Sequence, residues 1–376
     1  MIAGHRCITM AGMITTGVVF CLLSGISADT VSPGAKDNTA GLSVDGKGAL
    51  TRPNIIFILA DDLGWTDTAT YGSKYYETPN IDRLASQGMK FLRYHNCQNC
   101  APSRAALMTG QYAPRTGIYT VGSIDRFDWS MRPLRPVDNV TSLSLEKITI
   151  AKVLKKEGYA TGMFGKWHLG HDEAHHPSRR GFDEAITSEG VHFGFKTDPA
   201  VAHPKDEYLA DFLTGKGLDF IKRNKDKPFF LYLSHFAVHS PLQAKKNYIE
   251  KFASKPGIGG HNNPTYAAMI YSVDESVGRI MALLDELKLV DNTVIIFSSD
   301  NGGVGGYDRE GLAAKNNTTD NLPLRSGKGS LYEGGTRVPF IVRWPGHVVP
   351  GSTCDEPIIH VDLYPTFLDI AGAQKP

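Results

Sequence analysis

Two pairs of oxygen-bearing side chains follow two apolar runs of the sequence. Asp61 and Asp62 come directly after NIIFILA, and Asp300 and Asn301 come directly after TVIIFSS. Such runs are typical of strands buried on both faces of a parallel sheet. Because ligands bind beyond the carboxyl ends of such strands, the four side chains are expected to meet at one site. A set of oxygen ligands suits a hard cation such as Ca²⁺, Mg²⁺ or Mn²⁺.

A plainer interpretation of these two motifs is that both are ordinary turns. Asp, Asn and Gly favour turns, so either DDLG or SDNGG alone is more readily explained in that way. Both motifs occur here, and each follows an apolar strand. This coincidence favours the metal site.

Candidate acid–base groups follow two further apolar segments. YATGMFG leads into Lys166 and His168, which lie two residues apart and therefore face the same side of an extended chain. PFFLYLS leads into His235 and His239, and spacing alone does not choose between these two. A lysine and a histidine beside a predicted metal indicate a catalytic site.

Glycines surround two basic residues in the loop RSGKGSLYEGGTRVP. Small residues let the backbone and the cations Lys328 and Arg337 approach a bound anion closely. A flexible basic surface loop explains the same composition equally well.

Cys100 has an unusual neighbourhood in the segment NCAPSRAALMTG. Pro102 fits the first turn of a helix, and Arg104 follows about one turn later. A helix N-terminus favours negative charge, so the segment predicts an anion-accepting corner that contains a reactive atom. A plain buried cysteine would leave Pro102 and Arg104 unexplained. A redox dithiol of Cys97 and Cys100 is the third interpretation, but no thioredoxin-like βαβ unit accompanies it.

Alternating helices and apolar strands define the fold class. Helix-like segments such as TPNIDRLASQG and SLEKITIAKVLKKEG lie between the apolar runs, and a long helix is predicted from about Tyr266 to Leu287. This alternation predicts an α/β fold, with a mostly parallel central sheet flanked by helices on both faces.

Composition and chain ends limit the function classes. The 376 residues carry a net charge of +1, so no global field recruits nucleic acid or an anionic membrane. Residues 1–28 resemble a signal peptide, which predicts an exported, periplasmic or secreted protein without a membrane span after cleavage. Residues 29–52 form a predicted flexible leader, and residues 53–376 form the catalytic domain. Cleavage leaves Cys97, Cys100 and Cys354, of which at least one is free, modified or bonded to another chain.

Six segments together resemble the type I sulfatase family of the alkaline phosphatase superfamily. They match in order and spacing from about Arg52 to Gly372, and they read CAPSR, FILADDLGW, GKWHLG, HFAVHSP, SSDNGG and GKGSLYEGGTRVPFIVRWPG. The resemblance implies an alkaline-phosphatase-like fold. Family members usually continue into a small antiparallel C-terminal subdomain, which the resemblance implies is missing from this chain.

The resemblance also implies a role for each matching residue. Cys100 would be oxidised by a formylglycine-generating maturation enzyme, and one hydroxyl of the hydrated formylglycine would attack sulfur. His168 would take a proton from the second hydroxyl, while His239, with Lys328, would protonate the departing oxygen. Arg104 would orient the hydrate and help to neutralise charge, and Lys166 and Lys328 would bind the sulfate oxygens. One Ca²⁺ would be held by Asp61, Asp62, Asp300 and Asn301. No role follows for Cys97 or Arg337.

Hydrolysis of sulfate esters is therefore the predicted function, with a sulfated small molecule or saccharide as substrate. A galactose or N-acetylgalactosamine sulfate is the most specific expectation that the segments allow. Two alternatives stay open: a phosphonate or phosphate ester hydrolase of the same superfamily, and an inactive protein that binds sulfated glycans through calcium. The loops 120–139 and 171–203 are expected to line the substrate pocket.

Overall fold

The computed structural model describes residues 43–44, 50–311, 317–374 and 376. The predicted signal peptide and most of the predicted leader lie outside these residues. Within the leader, strand β1 (Ser43–Val44) pairs in antiparallel fashion with strand β2 (Leu50–Thr51).

Ten further strands follow in chain order. They are β3 (Asn54–Ala60), β4 (Met89–Phe91), β5 (Tyr94–His95), β6 (Ala160–Gly165), β7 (Glu184–Thr187), β8 (Phe229–Ser234), β9 (Thr293–Ser299), β10 (Phe340–Arg343), β11 (Ser352–Cys354) and β12 (Ile358–Ile359).

The α-helices of the described residues alternate with these strands. They are α1 (Pro79–Ser86), α2 (Cys100–Thr109), α3 (Ala113–Thr116), α4 (Ile150–Lys156), α5 (Leu209–Asn224), α6 (Lys246–Ala253), α7 (Pro264–Glu286), α8 (Glu333–Thr336) and α9 (Leu363–Ala371). None of them combines the length and the hydropathy that a bilayer-spanning helix needs.

An eight-stranded sheet forms the centre of the fold, in the order β11-β4-β10-β9-β3-β8-β6-β7. The five neighbours β9, β3, β8, β6 and β7 run parallel to one another. Strand β10 is antiparallel to both of its neighbours, so β4 and β11 run in the same direction as β3. The predicted mostly parallel sheet is therefore confirmed.

Both faces of the sheet are covered, as the apolar strands predict. Alternate residues of β3 enter different hydrophobic clusters: Phe57 belongs to the cluster that contains residues of α2, α4 and α9. Its neighbour Ile58 belongs to the cluster with residues of α1, α5, α6 and α7. Because side chains alternate along a strand, a run without polar residues is needed when both faces are buried.

The register of the sheet brings four strand ends to one edge. Ala60 at the end of β3 pairs with Ser299 at the end of β9. On the other side, Leu59 pairs with Ser234 of β8, which in turn pairs with Gly165 of β6. The polar residues that follow these strands consequently emerge next to one another.

Candidate active site

The structure brings the four predicted metal ligands together at this edge. The backbone N–H of Asp62 donates to Asp300 Oδ1 at 3.2 Å, and the Asn301 amide donates to Asp62 Oδ1 at 2.8 Å. All four side chains, including that of Asp61, belong to residues at most 2 % exposed. Three carboxylates this close together in a buried site require compensating positive charge.

Each carboxylate has a basic partner of its own. Lys166 Nζ lies 2.6 Å from Asp61 Oδ2, and Lys328 Nζ lies 2.7 Å from Asp62 Oδ2. Arg104 donates from Nε at 2.9 Å and from Nη2 at 2.7 Å to Asp300 Oδ2. The predicted anion-binding cations therefore surround the predicted metal ligands.

Arg104 also ties this site to the ends of two strands. Its Nη1 donates to the backbone oxygen of Lys166 at 2.8 Å and to Ser234 Oγ at 2.5 Å. The guanidinium is 1 % exposed, so its planar donors are fixed by four contacts in a site without bulk water.

Burial and charge pull the pKa values of these groups in opposite directions. Burial disfavours the ionised Asp61, but Lys166, followed by His239, Arg104 and Lys328, outweighs it and holds the pKa of Asp61 well below its usual range. Burial and the nearby Asp61 raise the pKa of Asp300 to about 6, although Arg104 opposes the rise. Burial and Asp61 thus disfavour the ionised form of Asp300 in spite of its two contacts with Arg104.

Unpartnered oxygens test whether a cation fits. Asp61 Oδ1 and Asn301 Oδ1 are buried and have no hydrogen-bond partner within the described part of the chain. Ligand atoms of Asp61, Asp62, Cys100 and His239 also lie within 4.8 Å of one another. Buried oxygens normally have partners, and a hard divalent cation would supply one for both. The residues present fit such an ion.

Cys100 is the first residue of α2, as the sequence predicts. It is 1 % exposed, and burial raises the pKa of its thiol to about 12 although Lys166 and Lys328 lower it. A thiol with such a pKa is uncharged at neutral pH and is a weak nucleophile. The unmodified side chain is therefore poorly suited to attack an ester.

Cys97 and Cys100 are both free in this structure. The Cys97 sulfur lies 3.4 Å from His360 Nε2. The geometry gives no support to the dithiol interpretation of CQNC.

The structure separates the two histidines that spacing could not distinguish. His239 Nε2 lies 3.6 Å from Asp62 Oδ2, and its Nδ1 lies 2.7 Å from the backbone oxygen of Ser240. His235 instead turns into the core, where its Nε2 lies 3.0 Å from the Ser276 hydroxyl of α7. Burial lowers the pKa of His235 to about 3. Only His239 of this pair reaches the site.

His168 adjoins the site in a conformation that is rare for a residue with a side chain. Its φ of 59° is left-handed, as is the 64° of Asp62. Burial, followed by Lys166 and Arg104, lowers the pKa of His168 to about 2. The imidazole is therefore uncharged at neutral pH, and its buried Nδ1 has no hydrogen-bond partner among the described residues. It also lines a cavity of about 240 Å³ formed by residues of segments 167–177 and 187–198.

The glycine-rich loop contributes Lys328 but not Arg337. Arg337 Nε donates to the backbone oxygen of Leu92 at 2.7 Å, and its guanidinium lies over Trp65. The loop packs tightly beside Asn301, because a Cβ on Gly302 would lie 1.8 Å from the oxygen of Gly334.

Three supporting residues were not predicted. Ser234 accepts a hydrogen bond from Arg104, and His192 Nε2 contacts the backbone oxygen of His239 at 2.8 Å. Asp67 accepts from the hydroxyl of Tyr266, whose oxygen also lies 3.2 Å from the backbone oxygen of Asp62. Ser234 ends an apolar strand and could have been found by that position. No comparable sequence signal marks the other two.

Comparisons with known proteins agree with this geometry. Residues 53–373 match the model of a protein family described as Sulfatase. The N-acetylgalactosamine-6-sulfatase of Homo sapiens is 35% identical over 353 residues, which cover 88% of this chain and 64% of that protein. A protein of Formosa agariphila described as a sulfatase is 35% identical over 399 residues, covering 88% of this chain and 70% of that protein.

A solved structure shows the same similarity in three dimensions. Ps i-CgsB in complex with k-i-k-neocarrahexaose is 35% identical, with a TM-score of 0.73 over 87% of this chain and 73% of that chain. The present chain spans slightly less than two thirds of the human relative.

Proposed function

The chain belongs to the sulfatase family, and on that premise we propose that it hydrolyses sulfate esters, with a sulfated saccharide as substrate. The convergence of Cys100 with three carboxylates and three fixed cations in one buried site carries this proposal. A sulfate ester needs positive groups around its oxygens, a nucleophile at sulfur and a proton for the leaving alcohol.

Two named relatives support a saccharide substrate. One is described as an N-acetylgalactosamine-6-sulfatase, and the other was solved with a neocarrahexaose. We therefore propose a sulfated galactose or N-acetylgalactosamine unit as the group that this chain recognises. We further propose that the protein is exported, in keeping with the predicted signal peptide.

The nucleophile is proposed to be a modified Cys100. The burial of the thiol supports this proposal, since an uncharged thiol is a weak nucleophile. Oxidised to formylglycine by a maturation enzyme, position 100 would supply a hydrated aldehyde whose hydroxyl oxygen attacks sulfur. The position suits that role, because the positive charges of Lys166 and Lys328 favour a negatively charged group at position 100.

A calcium ion is the proposed metal. Asp61, Asp62, Asp300 and Asn301 would hold it, and the two unpartnered oxygens of Asp61 and Asn301 support this assignment. When bound, the ion would supply positive charge for the sulfate oxygens and for the nucleophile.

Fixed cations would orient the sulfate group. Lys166 and Lys328 are held by Asp61 and Asp62, and each carboxylate raises the pKa of its lysine against the effect of burial. Both ammonium groups therefore stay charged at neutral pH. Ammonium groups that need no rearrangement stabilise charge on the sulfate oxygens effectively in a site without bulk water.

Two histidines divide the proton transfers in this proposal. His239, next to Lys328 through their shared partner Asp62, would protonate the leaving alcohol oxygen. His168, whose buried Nδ1 has no partner among the described residues, would accept the proton that must leave position 100 when sulfate is released. The two roles need one proton donor and one proton acceptor, and the position of these histidines on different segments supports the assignment.

The decisive experiment combines mass spectrometry with turnover. The peptide that spans Cys100 should carry an aldehyde in protein from a host with maturation machinery, and that protein should cleave nitrophenyl sulfate. Cys100→Ala should abolish cleavage and keep the fold, whereas the matched control Cys97→Ala should keep activity. Activity of a protein whose Cys100 remains a thiol would refute the proposed nucleophile.

A substrate comparison separates the alternatives. Nitrophenyl sulfate should be cleaved faster than nitrophenyl phosphate, and the reverse order would favour the phosphonate or phosphate ester hydrolase. Binding of sulfated glycans without turnover, by a protein whose Cys100 stays unmodified in a host with maturation machinery, would favour the inactive binding protein.

A further inference from the structure

A second cavity, separate from the residues of the candidate active site, is rich in positive charge. It measures about 540 Å³ and is lined by Leu145, Lys152, Glu173, Ala174, Arg179 and Arg180. Three of these six residues are basic and one is acidic. We call this feature the basic cavity.

The single carboxylate of the basic cavity is already paired. Glu173 Oε1 accepts from Arg179 Nη2 at 2.7 Å, on the outer side of the cavity where both side chains are more than half exposed. This ion pair leaves the charges of Lys152 and Arg180 uncompensated by any carboxylate of the lining.

Arg180 is a buried cation without a carboxylate partner. The residue is 1 % exposed, and among the described residues no carboxylate oxygen lies within 4.0 Å of its guanidinium. Its Nη atoms donate to the backbone oxygens of Leu143, Ser144 and Lys147, and its Nε has no partner there. Buried charges are normally paired, so this arrangement is unusual.

Lys152 adds a second uncompensated cation beside it. Burial, followed by the positive charge of Arg180, lowers the pKa of Lys152. The ammonium group has no hydrogen-bond or ion-pair partner in the part of the chain that the structure describes. The carbonyl contacts of Arg180 explain how a loop is held in place, but they do not explain why a lysine faces the same cavity.

Backbone hydrogen bonds connect the basic cavity to the segment that carries His168. The N–H of Leu143 donates to the oxygen of Leu169, the residue after His168, at 3.0 Å. The oxygen of Leu143 accepts from Arg180 Nη1 at 3.3 Å. Moreover, different residues of the segment 172–180 line the two cavities: Asp172, His176 and Pro177 line the cavity beside His168, and Glu173, Ala174, Arg179 and Arg180 line the basic cavity.

We propose that the basic cavity binds a second sulfate group of the saccharide whose first sulfate ester occupies the active site. The inference rests on the proposed function and extends it to substrates that carry more than one sulfate. A sulfate half-ester is a compact monoanion, and it would compensate Lys152 and Arg180 without displacing Glu173 from Arg179. The partly exposed Lys152 and Arg179 would contact it, while the buried Arg180 contributes fixed positive charge.

The test uses Lys152→Gln, which removes one cation and leaves the carbonyl contacts of Arg180 intact. The matched control is Lys156→Gln, since Lys156 is exposed on the same helix α4 and does not line the cavity. Both changes are made in a Cys100→Ala background, so that calorimetry measures binding without turnover. The probes are two galactan oligosaccharides of equal length, of which one carries a single sulfate and the other a second sulfate on the neighbouring residue.

Lys152→Gln should weaken binding of the doubly sulfated oligosaccharide about three- to tenfold and leave that of the singly sulfated one unchanged. Lys156→Gln should change neither. Equal weakening of both probes, no weakening of either, or no binding of the doubly sulfated probe to the parent overturns the proposal. Because this measurement needs no turnover, a failure of the proposed hydrolysis would appear separately, as inactivity of the aldehyde-containing protein.

Discussion

Three buried histidines should make the stability of this protein depend strongly on pH. Burial lowers the pKa of His192 and of His360 to about 4 and that of His235 to about 3. The unfolded chain takes up these protons near the usual pKa of about 6.5, whereas the folded protein does not. Above pH 6.5 these histidines are uncharged in both states and do not lower the free energy of unfolding. As the pH falls from 6.5 towards 4, only the unfolded chain binds the protons, and the free energy of unfolding decreases.

The expected magnitude follows from these pKa values. Between pH 7 and pH 5, each histidine should lower the free energy of unfolding by about 2 kcal/mol, and the three together by about 5–6 kcal/mol. His235 is the best single test, because the hydrogen-bond contact of its imidazole within the described residues is with the uncharged Ser276 hydroxyl, at 3.0 Å. Glutamine at this position keeps a nitrogen near that hydroxyl and has no group that titrates.

Urea unfolding at pH 7 and pH 5 measures the effect. His235→Gln should lose about 2 kcal/mol less than the parent between the two pH values, even if it is less stable at both. His171→Gln is the matched control, because the His171 side chain is 76 % exposed and the same substitution is therefore tested without burial. Equal losses in His235→Gln and the parent would refute the argument that burial keeps His235 neutral.

Further predictions concern the site itself. Added Ca²⁺ should raise the Tm of the parent in a calorimetric scan. It should not raise the Tm of Asn301→Leu, because leucine removes the unpartnered Asn301 Oδ1 that is proposed to bind the ion. Equal rises in both proteins would contradict the proposed ligand set. Lys328→Gln should lower kcat/KM about 10²- to 10³-fold, whereas Arg325→Gln, on the exposed part of the same loop, should change it less than twofold. Gly302→Ala should lower the free energy of unfolding in urea by about 3 kcal/mol, since the added Cβ would lie 1.8 Å from a backbone oxygen. Gly215→Ala, with open space around the added Cβ, should not lower it.

Much of the fold follows from the sequence because the strands are buried on both faces. The run from Asn54 to Ala60 forms β3 with the predicted bounds, and Thr293 to Ser299 forms β9 in the same way. Short strands such as β4, β5 and β12 have two or three residues, which is too few for an alternation of apolar and polar side chains to be recognised in the sequence. Their pairing depends on contacts between distant segments, as in Ile358 with Tyr94.

The candidate site was predictable in composition but not in pairing. Asp61 and Asp300 were expected together because parallel strands end at one edge of a sheet. That Lys166 contacts Asp61, and Arg104 contacts Asp300, depends on side-chain directions that spacing does not give. The choice between His239 and His235 likewise depends on the path of the chain after β8. The proposed roles of these residues remain predictions.

The burial of Cys100 constrains when the proposed modification takes place. Only 1 % of this residue is exposed, and it opens a helix whose ten residues are all buried. If position 100 is modified as proposed, the oxidising enzyme would have to reach the sulfur before this helix is packed into the fold. Molecules that fold before they meet that enzyme would keep the thiol. The active fraction of a preparation would then depend on the rate of modification relative to the rate of folding.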